Sequence, residues 1–290
     1  MNEDAALFLE ELKQGIACSD IARKINSVIL LGSVVGKEWV KGRSDIDTIV
    51  IVNDKRDKSI VWHFMNEAFL MLDKKHSLGL KKTLLPEKTG NLISNIIYRI
   101  HLFITNPIIV YSIDEVRSNF SGFVDARTWL NRVLFSPINV CLFQMKTTAV
   151  TLYGEDHLPT LEVGKTTLFE KIRLLAGKIN IALSALIVLP FLPVLAARLL
   201  YKISRYEIAS FFYCNNVILE DERREVFFRK ILPVPFVIDY LNTQAEMRRT
   251  DYKNVDRYAV MKLLCQTLKF LYVSQSRLFF SRRWTDKIDV

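Results

Sequence analysis

Two aspartates open an otherwise apolar run near the start of the chain. In LLGSVVGKEWVKGRSDIDTIVIV, residues 30–52, Asp45 and Asp47 lead into β-branched residues that predict a buried strand. Side chains of a strand alternate between its faces, so both carboxylates should project to one side and Ile46 to the other. Neighbouring carboxylates repel, and a buried unpaired charge is costly, so the pattern favours a bound cation. Mg²⁺, or Mn²⁺ in its place, takes such oxygen ligands together with substrate phosphates.

The residues before this pair have the composition of a phosphate-binding turn. The apolar run SVILLGS predicts a second strand, which ends at Gly32 and Ser33, and eleven residues separate Ser33 from Asp45. A glycine permits a tight turn and close approach of backbone to ligand. The serine offers a hydroxyl and an N–H group to a phosphate oxygen. The intervening loop carries three basic residues, which either contact phosphate or are simply solvated: Lys37, Lys41 and Arg43.

Taken together, these residues resemble the signature of the nucleotidyltransferase superfamily. That superfamily includes DNA polymerase beta, the aminoglycoside nucleotidyltransferases and the minimal nucleotidyltransferases of toxin–antitoxin systems. Its pattern is an apolar strand, Gly-Ser, a spacer and Asp-x-Asp flanked by apolar residues, and Arg43 and Ser44 also match it. LYGED, residues 152–156, resembles a segment that often begins the helical part of the antibiotic-modifying members.

The resemblance implies a Mg²⁺-dependent enzyme that moves a nucleoside monophosphate from an NTP to a hydroxyl and releases pyrophosphate. Asp45 and Asp47 would be catalytic metal ligands. The nucleotide would be held by four residues: Gly32, Ser33, Arg43 and Ser44.

Members of the family usually add a third carboxylate on a following strand. The segment HSLGLKKTLLPEKTG presents Gly79, Lys81 and Lys82 there, and Glu87 just beyond is the candidate third catalytic residue. A chain without that acid would lose general-base assistance, typically worth about 10²–10⁴-fold. A degenerate, non-catalytic nucleotide-binding regulator is therefore the alternative hypothesis.

The charge of the chain bears on the acceptor. With 40 Lys and Arg against 31 Asp and Glu, the net charge is +9, which favours a polyanionic partner. We therefore expect an RNA or protein acceptor, and an aminoglycoside-type small-molecule acceptor is the alternative. Lys81 and Lys82 would contact RNA phosphates, or would equally serve to guard the edge of a sheet.

The overall pattern predicts an α+β protein with two domains. A small mixed-sheet nucleotidyltransferase domain is expected over residues 1–150 and an α-helical domain over residues 151–290. Helices are predicted over 4–24 and 61–75, and two further strands over 77–85 and 98–105. Ser112 should cap a short helix that contains Asp114 and Glu115. After Asp125 we expect helices and no further strands.

The apolar stretch from residue 179 to residue 200 permits two interpretations. No charge interrupts Ile179–Ala197, a length at the margin of a membrane span. Pro190 and Pro193 favour instead a helix that stops near Leu189 and another that begins with Pro193 in its first turn. We therefore expect no membrane contact. Four cysteines scattered without a Cys-x-x-Cys pair favour a reducing, cytoplasmic location.

Overall fold

The computed structural model describes residues 3–35, 39–42, 44–80, 92–93, 95–96, 99, 106–120, 138–215, 217, 219, 221–250, 252 and 255–279. The chain divides into two compact units. The first comprises Met1–Leu130 with Cys141–Val163, and the second comprises Asn131–Val140 with Gly164–Val290. The first contains a four-stranded mixed sheet and the second is helical, so the α+β fold class is confirmed.

The sheet of the first unit is built from β1 (Ile25–Leu31), β2 (Asp47–Val52), β3 (Ile108–Ser112) and β4 (Val150–Gly154). Its strand order is β3-β2-β1-β4. β1 pairs antiparallel with both β2 and β4, and β2 pairs parallel with β3. β1 and β2 are continuous apolar runs because both of their faces are buried. Val28 and Val50 lie on one face, and Ile29 and Ile49 lie on the other.

Two helices cover one face of this sheet. They are α1 (Glu3–Ala17) and α2 (Lys58–His76), and their buried residues join Val28 and Val50 in one core. Phe8 and Phe69 meet edge to face in that core, with ring centroids 5.2 Å apart. Two further helices of the described chain are α3 (Ile113–Arg117) and α4 (Ile138–Thr148).

The capping of α3 is as predicted. The Ser112 side chain accepts from the backbone of Glu115, and the Glu115 carboxylate accepts from the Ser112 N–H, which completes a capping box.

The predictions for the first and second strands are confirmed, but those for the other strands need correction. Residues 77–80 form turns rather than a strand, and residues 81–85 lie outside the described part of the chain. Arg99 is helical, which contradicts a strand at that position, and the described chain has its third strand at Ile108–Ser112. The expectation of no strand after Asp125 is wrong, because β4 closes the open edge of β1.

The second unit contains α5 (Leu168–Val188), α6 (Pro193–Cys214), α7 (Asp221–Ile231), α8 (Pro235–Arg249) and α9 (Arg257–Ser274), and α9 continues as a π-helical turn over Gln275–Phe279. The break at the two prolines is confirmed. α5 ends at Val188, and α6 starts with Pro193, whose missing N–H is harmless at that position. Among the helices of the described residues, none has the length and apolar character needed to cross a membrane.

A buried ionic cluster joins three elements of this unit. Lys178 on α5 donates to Oε2 of Glu207 on α6, and both side chains are 0% exposed. The other oxygen of Glu207 accepts from Ser274 Oγ at 2.5 Å and from Gln275 Nε2 at 2.8 Å. Buried charges persist when they are paired and hydrogen-bonded in this way.

Candidate functional site

The two aspartates lie at the point where β2 begins. The sequence predicted a strand that includes Asp45. The strand starts at Asp47 instead, so Asp45 precedes it by two residues. Ile46 is fully buried in the core beneath the helices, whereas Asp45 and Asp47 are both partly exposed. This alternation is the one expected if both carboxylates project away from Ile46.

The Gly-Ser turn lies directly against the second of these carboxylates. Gly32–Val34 forms a single 3₁₀ turn at the end of β1, and Leu31 is the register partner of Asp47. A Cβ atom at Gly32 would lie 2.8 Å from Asp47 Oδ2, and Gly32 has φ +70°. Any other residue here would adopt a strained backbone conformation and would displace the Asp47 carboxylate. Ser33 is partly exposed in the same turn.

Hydrogen bonds close the loop that leads to Asp45. The Val40 N–H donates to Ser44 Oγ at 3.0 Å, and the Ser44 N–H donates to the Val40 carbonyl at 2.9 Å. Ser44 is 8% exposed and its side-chain oxygen has a structural role in the loop, whereas its contact with nucleotide stays a prediction. Lys41 Nζ lies 2.6 Å from Asp4 Oδ2 on α1. This ion pair favours the interpretation of Lys41 as a surface residue of the loop over a contact with phosphate.

The same loop is anchored to the turn that follows α2. The Gly42 N–H donates to the Leu78 carbonyl at 2.6 Å, and a Cβ atom at Gly79 would lie 2.8 Å from Gly42 Cα. Asp73, at the end of α2, accepts from the Leu80 N–H at 3.0 Å. The sequence reasoning missed these contacts. The sequence signal for these contacts was the presence of two glycines, Gly42 and Gly79. In the structure both have φ above +70°.

The start of β2 is fixed by a third set of bonds. The Thr48 N–H donates to the Pro107 carbonyl at 2.7 Å, and Thr48 Oγ1 donates to the Ile46 carbonyl at 3.1 Å. The backbone on both sides of Asp47 is therefore held by hydrogen bonds, which positions its carboxylate over the Gly32 turn.

Several predicted site residues lie outside the described residues: Arg43, Glu87, Lys37, Lys81 and Lys82. The structure therefore brings together Gly32, Ser33, Ser44, Asp45 and Asp47 and leaves the third carboxylate as a prediction. In the described part of the chain no three His, Cys, Asp or Glu side chains are grouped to hold a metal ion.

The donor set nevertheless fits a hard cation shared with a phosphate. Two partly exposed carboxylates would supply oxygen ligands, and the missing Cβ of Gly32 lets the Asp47 carboxylate lie close against the turn. No family model, curated protein or solved structure matches this chain.

Proposed function

We propose that the chain is a Mg²⁺- or Mn²⁺-dependent nucleotidyltransferase of the DNA polymerase beta-like superfamily. The observation that carries the proposal is the contact between the Gly32 turn and the Asp47 carboxylate. The ends of two paired strands would thus form one surface with a phosphate-binding turn and oxygen ligands for a cation. The alternation at Ile46 supports Asp45 as the second ligand.

In this proposal each residue has a defined part. Asp45 and Asp47 hold the divalent cation, which would neutralise charge on the triphosphate during in-line attack. Gly32 and Ser33 hold phosphate oxygens through backbone N–H groups and the serine hydroxyl, and Arg43 and Ser44 complete the nucleotide contacts. The hydrogen bonds around Val40 and Gly42 keep the loop before Asp45 in one geometry.

The proposed reaction transfers a nucleoside monophosphate to a hydroxyl. The acceptor oxygen bonds to the α-phosphorus as the bond from that phosphorus to the bridging oxygen breaks, and pyrophosphate leaves. The hydroxyl proton passes to a base, for which Glu87 is the candidate. The net charge of +9 supports an RNA or protein acceptor. The four free cysteines support a reducing compartment, and we propose the cytoplasm.

The test measures nucleotide binding and transfer separately. Mg²⁺-dependent ATP binding is followed by calorimetry, and transfer is followed with each α-labelled NTP and RNA, protein or aminoglycoside acceptors. We expect Asp45→Asn/Asp47→Asn to lose both signals while circular dichroism shows an unchanged fold. Asp20→Asn, an exposed aspartate at the other end of β1, is the matched control and should keep both.

The outcomes separate the hypotheses. Full transfer by the double variant would refute the assignment of the two aspartates. Binding without transfer to any acceptor would identify a nucleotide-binding regulator instead of an enzyme. Transfer of the labelled nucleotide to an aminoglycoside alone would refute the proposal of an RNA or protein acceptor.

A further inference from the structure

One face of α5 is apolar and exposed along its whole length. The opposite face packs on α6 through buried residues such as Leu174, Ala185 and Val188. The exposed face carries Phe169 and Ile172, which are 73% and 54% exposed. An exposed apolar patch of this kind marks a binding surface.

The exposed residues follow a heptad repeat. We call them the α5 seam: Phe169, Ile172, Ala176, Ile179, Leu183 and Leu186 on α5, and Pro190 in the turn two residues beyond its end. Their spacing alternates between three and four residues, and all seven are exposed. This spacing fits a second helix, whose side chains would enter the holes between these residues.

We propose that the α5 seam binds the same seam of a second copy of this chain, with the two helices antiparallel. Six of the seven seam residues, all but Phe169, are symmetric about Ile181, so a two-fold axis there places Leu183 against the partner's Ile179. It also places Ala176 against the partner's Leu186, a small residue facing a large one, as close packing requires. A parallel pair would instead stack Ala176 on itself and leave a gap.

The charges favour the same orientation. The charged residues in the first turns of α5 are Glu170, Lys171 and Arg173, and the remainder of the helix carries only the buried Lys178. In the antiparallel pair the two charged ends lie roughly 30 Å apart, from 1.5 Å of rise per residue. A parallel pair would bring Lys171 and Arg173 close to their own copies, and like charges at that distance repel.

The area is sufficient for a stable dimer. Leu168, Ile187 and Phe191 flank the seam and are 66%, 69% and 41% exposed. With the seam they offer apolar surface on the order of 800 Å² per copy, the size of a standard interface. A two-fold axis makes this one patch complementary to itself, and α5 and α6 from both copies would form a four-helix bundle.

Sedimentation velocity of the full chain tests the proposal. Wild type should sediment as a dimer of twice 33.6 kDa at micromolar concentration. Leu183→Glu and Ile179→Lys should each be monomeric, with circular dichroism unchanged because both side chains are about half exposed. Val226→Glu, on the 55% exposed Val226 of α7, is the matched control and should remain dimeric.

Mixing the two monomeric variants tests the orientation. The Leu183→Glu and Ile179→Lys chains should form a heterodimer, because one central layer then pairs Glu with Lys and the other keeps Ile with Leu. A mixture that stays monomeric would overturn the antiparallel arrangement. A monomeric wild type would overturn the dimer, and its flotation with phosphatidylserine vesicles would assign the seam to a membrane surface instead.

Discussion

Removal of Lys178 is expected to destabilise the helical unit by about 3–5 kcal/mol, the usual effect of breaking a buried ion pair. Lys178→Met leaves the Glu207 carboxylate fully buried, with Ser274 and Gln275 as its remaining described donors. Neither donor carries a charge, so the negative charge is no longer compensated. Glu207→Leu should cost about as much, because it takes the carboxylate away from the buried ammonium group and also removes the acceptor of Gln275.

The double variant Lys178→Met/Glu207→Leu should be more stable than either single variant. It removes both charges together, and replacement of a buried ion pair by apolar side chains is often neutral or stabilising. What remains is the side-chain amide of Gln275, whose loss of a buried acceptor costs about 1–3 kcal/mol. The effects of the two single substitutions on stability are therefore strongly coupled. Adding Gln275→Leu to the double variant should restore part of the lost free energy of unfolding.

Hydrogen exchange of peptides from α5 and α6 measures the free energy of opening of the helical unit in each variant. A loss of about 3–5 kcal/mol corresponds to roughly 10²–10⁴-fold faster exchange by global opening of that unit. Arg249→Met, which breaks an exposed contact with Glu246, is the control and should leave exchange unchanged. If the effects of the two single substitutions simply add in the double variant, the reasoning from an uncompensated charge is refuted.

Two further predictions concern a glycine pair and a tyrosine. Gly79→Ala should lower the melting temperature, since Gly79 has φ +82° and an added Cβ would lie 2.8 Å from Gly42 Cα. The control is Gly15→Ala on α1, whose added Cβ meets nothing within 4 Å and which should stabilise the protein by about 0.5–1 kcal/mol. A higher melting temperature for Gly79→Ala would contradict the packing. Burial raises the pKa of Tyr240 to about 12, so the contribution of this residue to stability should be constant below about pH 10, the unfolded value, and should fall as pH rises toward 12. Tyr240→Phe should flatten that alkaline fall in a denaturation series, and an equally steep fall in the variant would refute the assignment.

The sequence predicted local elements better than the pairing of distant ones. The helix break at Pro190 and Pro193 follows from proline chemistry within a few residues, and the capping box at Ser112 follows from side chains three residues apart. The strand at Ile108–Ser112 is rich in Ile, Val and Tyr, which favour strands, but a longer apolar run over residues 98–105 precedes it and has the stronger strand pattern. β4 was missed because its pairing with β1 is non-local and its residues are only half buried.

The candidate site shows the same division. The closeness of Gly32 and Asp47 follows from two adjacent strands and a short motif, so it was predictable from the residues. The contact between Gly42 and Gly79 depends on a loop that docks on a turn after a long helix, and neither segment carries a periodic signal. The hydrogen bond between Ser44 and Val40 is likewise set by loop geometry that composition does not encode.

The position of β4 in the sheet also sets an order of events during synthesis. β1 is made early and can pair with β2 almost at once, but its other neighbour, Val150–Gly154, is still to come. At about 5–20 residues per second, the roughly 120 residues between β1 and β4 take about 6–25 s to emerge. During that time the nascent chain presents the unpaired apolar edge of Ile25–Leu31, a template for pairing with other chains. A fragment that ends before Val150 would keep that edge open permanently, and we expect it to aggregate in proportion to its concentration.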